Sequence, residues 1–507
     1  MKTKQRFPMY PFIYAFYPVL FLYAKNMDLV GLQDCIKPLL ILFIVTLGLL
    51  LIAKALLKNN IKAGILVSLL MLVFFSYGNA AEVAERLISP ALVDKLFFPI
   101  TILFLAAVIV LIARTRKALE GLGQFLSAAA IILLTMTVVQ VAWHKLSSGE
   151  QEDVPWGRYV SKFCARDENK LHITKGQARP DVYYIILDAY AREDTLADVF
   201  QFDNSPFLDD LRDMGFYVAS KTASNYLRTQ LSVPSALNMD FVDRLAKESG
   251  IEAGKRASQR AMFGKPKVAE LLRNAGYEFV SLPSGYAAFE PADPDITPRK
   301  TWLSTTEFDT ILCRSRMLKS LPSVHGKSWR NNILLNLEYL KNVPNNKKPT
   351  FTFAHIVITH PPFCFKADGS ESLPTLTDTE TAKLSKKEYT KRYTDSIKYA
   401  NKQMTEIIKH IIAKSETPPI IILQGDHGAV CRFRTQRAKV LNAYYLPKDG
   451  DKLLYPTISP VNSFRIVFNR YFGTHYKLLD DITYGDQEVK GVFKLKRISP
   501  DEWIDKY

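Results

Sequence analysis

Five stretches without Asp, Glu, Lys or Arg lie before residue 145 of this 507-residue chain, at 7–24, 38–53, 63–81, 96–113 and 121–144, and nothing comparable follows. Each is near the roughly 17 to 25 residues that a helix needs to cross a bilayer. The spacing predicts spans at about 7–24, 38–57, 63–81, 96–113 and 121–143, and with them a transmembrane part over 1–145. Lys2, Lys4 and Arg6 precede the first stretch as they would in a signal peptide, but no small-x-small cleavage site ends it, so it is expected to remain as a helix. Counting basic residues in the short loops sets the orientation, because they stay preferentially on the cytoplasmic side. With the N-terminus inside, inner segments hold Lys2, Lys4, Arg6, Lys54, Lys58, Lys62, Arg114, Arg116 and Lys117, and outer loops hold only Lys25, Lys37, Arg86 and Lys95. The remaining 360 or so residues are therefore expected outside the cytoplasm.

Residues 1–145 carry 14 basic and 6 acidic side chains, so half of the net charge of +16 belongs to the membrane part. What remains suits an outward-facing domain beside anionic lipid headgroups and makes nucleic acid an unsuitable partner. Cys164, Cys313, Cys364 and Cys431 fall in this part, where an oxidising compartment permits up to two disulfides of unspecified pairing. Residues 146–180 are polar, with Trp156 and Tyr159 placed as interfacial aromatics, and read as a linker. From 181 to 507 the pattern changes. Apolar runs at Val182–Leu187, Phe351–Ile358 and Ile420–Leu423 alternate with amphipathic segments opening at Ser205, Lys267 and Lys386, the signature of a mostly parallel sheet between helices.

Two of these runs end in residues that packing does not call for. Val182–Leu187 leads into Asp188, and Ile420–Leu423 leads through Gln-Gly into Asp426-His427-Gly428. In open parallel sheets the ligand crevice lies beyond the carboxyl ends of the strands, so neighbouring strands would bring these groups together. An Asp after a strand is often only a helix cap. Adjacent oxygen and nitrogen donors before a glycine are a more specific signal, suited to a divalent metal. A third element, Ser224-Asn-Tyr-Leu-Arg228-Thr229-Gln-Leu-Ser232-Val-Pro-Ser235, is rich in hydroxyls. A hydroxyl there serves either as a cap or as a nucleophile, activated when a metal lowers its pKa. The fourth is His355-Ile-Val-Ile-Thr-His360-Pro-Pro-Phe363, in which His360 is the functional candidate and His355 is expected to pack.

The order Asp188, Thr229, His360, Asp426-His427 resembles the alkaline phosphatase and sulfatase superfamily, in its membrane-anchored branch of lipoteichoic acid synthases and lipid A phosphoethanolamine transferases. The run Thr229-Gln-Leu-Ser-Val-Pro is similar to the transferases' nucleophile segment, and His360-Pro-Pro-Phe to the synthases' histidine motif. The resemblance implies five N-terminal transmembrane helices followed by an α/β sulfatase-like domain in a bacterial plasma membrane, facing outward. It implies one divalent metal ion, Zn or Mn, on Asp188, Thr229, Asp426 and His427, with Thr229 as nucleophile and His360 near the phosphoryl oxygens. Arg228 and Arg299 are further candidates for binding phosphate. The implied reaction moves a phosphoglycerol or phosphoethanolamine headgroup from a phospholipid to an envelope glycolipid or polymer. Asp188 stands where those enzymes usually place glutamate. Ser232-Val-Pro-Ser-Ala236 carries alanine where the formylglycine motif of sulfatases needs arginine, and no Asp-x-x-x-His pair precedes His360 for a second metal. A hydrolase on the same scaffold, a phosphodiesterase or sulfatase, and an inactive membrane scaffold are the alternatives.

Overall fold

The computed structural model describes residues 7–27, 32–115, 119–147, 153–173, 179–286, 289–298, 325–373, 376, 378–381, 383–431, 436–489 and 492–502. The chain divides into two compact units, with one break between residues 149 and 150. In the first, helices α1 (Tyr10–Lys25), α2 (Gln33–Leu57), α3 (Asn60–Leu87), α4 (Pro90–Arg114) and α5 (Glu120–Ser147) follow one another. Four segments among the described residues are long and apolar enough to cross a membrane: Asp34–Leu57, Asn60–Glu85, Lys95–Arg114 and Glu120–His144. The first expected span coincides with α1, whose 16 residues fall just short of that length. It is nonetheless tied into the unit, as the Tyr14 hydroxyl donates to the Leu126 carbonyl at 2.9 Å and the Tyr10 hydroxyl to that of Ile61 at 3.4 Å. Apolar side chains such as Leu51, Ile52, Leu103 and Leu111 remain exposed on α2 and α4, as lipid-facing positions would.

The second unit is an α/β sandwich. Its six-stranded sheet runs β2 (Tyr217–Val218), β6 (Asn442–Tyr445), β5 (Ile420–Gln424), β1 (Val182–Leu187), β4 (Thr350–Ile356), β3 (Glu278–Leu282). β5, β1, β4 and β3 are mutually parallel and β6 is antiparallel to β5. Strands β1, β4 and β5 are buried along their whole length, which is why β1 reads as a continuous apolar run and β4 and β5 are mostly apolar. A separate hairpin pairs β7 (Thr483–Val489) with β8 (Val492–Ile498).

Period-two alternation sorts the sheet into two faces. Val182, Tyr184, Ile186, Phe351, Phe353, Ile420 and Ile422 pack with helices α9 (Thr229–Asn238), α10 (Val242–Ser249), α11 (Arg256–Gly264), α12 (Lys267–Asn274) and α15 (Pro460–Tyr471). Tyr183, Ile185, Leu187, Ala354, Ile421 and Leu423 face α7 (Glu193–Phe200), α8 (Ser205–Asp213), α13 (His325–Asn342) and α14 (Lys386–Lys414).

The expected linker over 146–180 contains instead a helix, α6 (Asp153–Ala165), docked on the core that packs α9 to α12. Trp156, Val160 and Cys164, at i, i+4 and i+8, form its buried stripe. The Trp156 indole N–H donates to the Lys265 carbonyl at 3.0 Å, satisfying its one polar atom, so the ring lies in protein and not at an interface. Tyr159 donates to Glu248 at 2.5 Å and receives the buried Lys267 ammonium at 2.9 Å. Cys164 and Cys364 are buried and in no disulfide among the described residues, Cys431 is buried, and Cys313 lies outside the described residues.

Trp156→Ala should lower the stability of this unit by about 3 to 5 kcal/mol, the usual range for a deleted buried indole. Lys162→Ala on the exposed face of the same helix should stay within about 0.5 kcal/mol. Thermal unfolding of the two detergent-solubilised variants checks the contrast, and equal midpoints would show that α6 is not docked.

Candidate active site

Alternation along the sheet places the polar groups. Ile186 aligns with His355 on one side and Gln424 on the other, so all three project to the face that packs α9. Asp188 and Asp426 continue the same parity past the ends of β1 and β5. Asp188 is held at its backbone, where its N–H donates to the Ile356 carbonyl at 3.1 Å. Gly425 lets the second loop approach: a Cβ there would stand 2.4 Å from the Tyr190 carbonyl oxygen. Helix α9 begins at Thr229, which turns its hydroxyl to the same point.

The resulting cluster is buried and rich in lone pairs. Thr229 Oγ1 donates to Asp426 Oδ2 at 2.7 Å and lies 3.2 Å from His427 Nε2. His427 Nε2 is 3.6 Å from Asp188 Oδ1 and 3.5 Å from Asp426 Oδ2. Burial pushes the His427 pKa down to about 4 against the pull of Asp426, so the ring is neutral near pH 7. Its Nδ1 faces the Gly428 carbonyl at 2.9 Å, which assigns the proton to Nδ1 and leaves a lone pair on Nε2. Asp426 Oδ1 accepts the Ala189 N–H at 3.1 Å.

Asp188 Oδ1 is buried and has no hydrogen-bond partner among the described residues, while Oδ2 is 3.1 Å from His355 Nε2. Burial alone would raise this carboxyl; His360, His355 and His427 overcome that and hold it below the usual carboxylate range. His355 is raised despite its burial, chiefly through its hydrogen bond to Asp188. Asp188, His355 and Asp426 present ligand atoms within 4.8 Å of one another, a group that could hold a metal ion. The orphaned carboxylate oxygen and the converging oxygen and imidazole donors fit a divalent cation.

These groups open onto a cleft of about 260 Å³. Thr229, His360, His427, Arg228 and Arg437 line its polar side, and Tyr286, Phe289 and Pro361 its apolar wall. His360, beyond the end of β4, points Nδ1 to the Pro361 carbonyl at 2.6 Å, and its ring centroid is 6.2 Å from that of His427. Ser232 donates to the Asp426 carbonyl at 2.7 Å and is thereby committed to the turn.

Asp188, Thr229, His360, Asp426, His427 and Arg228 thus come together, and Arg299 lies outside the described residues. His355 corrects the expectation that it only packs: it shares the face of Phe351 and Phe353 but bonds Asp188. The break in an otherwise apolar alternation was its signal. Arg437 carries no local pattern that marks it.

A buried cluster of one hydroxyl, two carboxylates and an imidazole thus gathers where β1 and β5 end and α9 begins. The sulfatase family model matches residues 180–445, more than half of the chain, and the chain belongs to the sulfatase family. No curated protein matches it. The C-terminal periplasmic domain of EcEptC from Escherichia coli, in complex with Zn, is 12% identical with a TM-score of 0.40, covering 64% of this chain and 96% of that one. The integral membrane lipooligosaccharide phosphoethanolamine transferase A (EptA) from Neisseria meningitidis is 12% identical with a TM-score of 0.42, covering 92% and 94%. A 2-O GAG sulfatase is 12% identical with a TM-score of 0.40, covering 61% and 78%. At TM-scores below 0.5 these likenesses add nothing to what the family match shows.

Asp426→Asn should reduce metal bound to the purified protein at least tenfold, because it weakens a donor shared by every candidate ligand set. His355→Ala should weaken retention by about 10- to 100-fold, as loss of a group orienting a ligand does. Metal analysis after dialysis reads both, and a full equivalent retained by Asp426→Asn would reduce the cluster to a capping feature.

Proposed function

We propose that this chain is a membrane-bound, metal-dependent transferase that carries a phosphoryl headgroup, of phosphoethanolamine or phosphoglycerol type, from a phospholipid to an envelope glycolipid or polymer. In this reading residues 1–145 form a five-span anchor in a bacterial plasma membrane and residues 181–507 an outward-facing catalytic domain. The observation that carries it is the Thr229 hydroxyl, which lines the cleft and donates to Asp426 Oδ2 at 2.7 Å beside His427 Nε2. That is the geometry of an activated nucleophile.

Asp188, Asp426, His427 and Thr229 would hold the Zn or Mn ion, with His355 fixing Asp188 from its other oxygen. When bound, such an ion lowers the pKa of a hydroxyl and neutralises phosphoryl charge. In the first half-reaction the Thr229 proton passes to Asp426, Oγ1 bonds to phosphorus, and the bond from phosphorus to the diacylglycerol oxygen breaks. The leaving oxygen takes a proton from His360, whose ring borders the cleft. In the second, the acceptor hydroxyl returns a proton to His360 and bonds to phosphorus, and the Thr229 oxygen leaves and recovers its proton. The intermediate is a phosphothreonine diester. The N-terminus of α9 supports negative charge at this position. Ser232, tied to the Asp426 carbonyl at 2.7 Å, gives the formylglycine alternative no support.

In phospholipid vesicles, Thr229→Ala should keep the fold while cutting diacylglycerol release by about a thousandfold or more, and should loosen the metal less than Asp426→Asn does, because it removes a neutral donor and leaves both carboxylates. Ser232→Ala should retain most of it. The reverse ranking would favour a sulfatase, equal activity of both variants a scaffold, and fast release of free headgroup phosphate without glycolipid a hydrolase.

A further inference from the structure

Among the described residues the β7–β8 hairpin pairs with no strand of the main sheet. A two-stranded hairpin alone is marginal in water, so this one persists by what it docks against. Its base docks on the segment that leads into Thr229. Tyr226 and Tyr484 pair in parallel, and the Tyr484 N–H donates to the Asn225 carbonyl at 2.8 Å. The Thr483 hydroxyl donates to the Ser224 carbonyl at 2.9 Å, and Asn225 Nδ2 to the Ile482 carbonyl at 2.9 Å. The same segment is tied to the chain that returns from the Asp426-His427 turn. There the Ser224 N–H donates to the Ala438 carbonyl at 2.8 Å, and Ala223 pairs antiparallel with Lys439.

Side chains repeat the contact. Tyr226, fully buried, stacks on the Tyr484 ring at 5.5 Å with 17° between the planes, and Phe241 meets Tyr484 edge-on at 5.6 Å. The Tyr226 hydroxyl accepts the Val242 N–H at 2.8 Å, and Asn225 Oδ1 accepts the Val461 N–H at 3.0 Å, both in the first turns of helices α10 and α15. Ile498, at the end of β8, packs on Ala223, Leu227 and Ala438. Arg228 is still extended, at φ −136° and ψ 143°, so the chain enters α9 directly from this junction. A hydroxyl at the first position of a helix takes its direction from that entry, and a displacement of about 1 Å near a reacting group can cost on the order of 100-fold in rate. Asp188 and Asp426 make no hydrogen bond to the hairpin among the described residues, so the hairpin bears on the hydroxyl and not on the carboxylates.

We infer that Tyr484 is a positioning residue: by stacking on Tyr226 and pairing with its backbone, it fixes the entry of the chain into α9 and with it the direction of the Thr229 hydroxyl. The inference rests on the assignment of Thr229 as nucleophile and extends it to the C-terminal hairpin.

The test measures kcat and KM of the full-length protein in detergent, loaded with Zn or Mn. The substrates are phospholipid in mixed micelles, bis(p-nitrophenyl) phosphate and p-nitrophenyl sulfate. Wild type, Thr229→Ala, Tyr484→Ala, Tyr484→Leu and Tyr484→Phe are compared, with metal content and thermal midpoint measured on the same samples. Tyr484→Ala should lower kcat by about 10- to 100-fold on any substrate the wild type turns over, with KM changed by less than about twofold and metal retained. Tyr484→Leu, which refills the volume without a stacking ring, should fall with it. Tyr484→Phe should recover kcat, because the Tyr484 hydroxyl makes no hydrogen bond among the described residues. An unchanged kcat in the alanine and leucine variants would overturn the inference, as would a rise in KM with kcat intact. Loss of folded protein in both would also overturn it, leaving the hairpin a stabilising element only. A phenylalanine variant as slow as the alanine one would exclude stacking as the cause. Wild-type turnover that survives Thr229→Ala, or no turnover of any of the three substrates, would remove the nucleophile that Tyr484 is inferred to position. Tyr484-dependent turnover of the sulfate ester alone would leave the inference standing and contradict phosphoryl transfer.

Discussion

Two carboxylates, Asp188 and Asp426, are buried side by side at the ends of adjacent parallel strands, each 2% exposed. Like charges so placed, in a medium far less polarisable than water, are stable only with compensating positive charge. The rest of the site is arranged around that requirement. His355 and Ala189 N–H satisfy one oxygen of each, Thr229 donates to the other oxygen of Asp426, and Asp188 Oδ1 has no donor among the described residues. Asp188, His355 and Asp426 form a group there that could hold a metal ion.

The fold supplies that convergence through register. Because β1 lies between β4 and β5, even-numbered β1 residues, odd-numbered β4 residues and even-numbered β5 residues share one face, and that face packs the helix that begins at Thr229. The hydroxyl reaches the carboxylates from the helix layer packed on that face. Close backbone approaches hold the loops in place: Gly425 meets the Tyr190 carbonyl and Gly428 that of Arg437. A side chain at Gly425 would push its loop away from the Tyr190 carbonyl.

Much of this was legible because strands buried on both faces leave a plain record. Val182–Leu187 and Ile420–Leu423 are uninterrupted apolar runs, so Asp188 and Asp426-His427 stand out just beyond them. The helix Lys386–Lys414 coincides with its apolar stripe. His355 was concealed by the same rule that revealed the others, since it sits inside the β4 run and only its parity with Phe351 and Phe353 sets it apart. The helix at Asp153–Ala165 was obscured by its polar flanks, although Trp156, Val160 and Cys164 already stood at helical spacing. Arg437 depends on tertiary contacts with Leu227 and His427, which no local pattern encodes.

The most direct measurement is mass spectrometry of the membrane-extracted protein after brief incubation with phospholipid and no acceptor. A buried threonine poised between carboxylate and imidazole should trap the headgroup, so the peptide containing Thr229 should gain the mass of one phosphoryl headgroup, and glycolipid should discharge it. An unmodified Thr229 peptide in a sample that is releasing diacylglycerol would contradict covalent transfer through this residue.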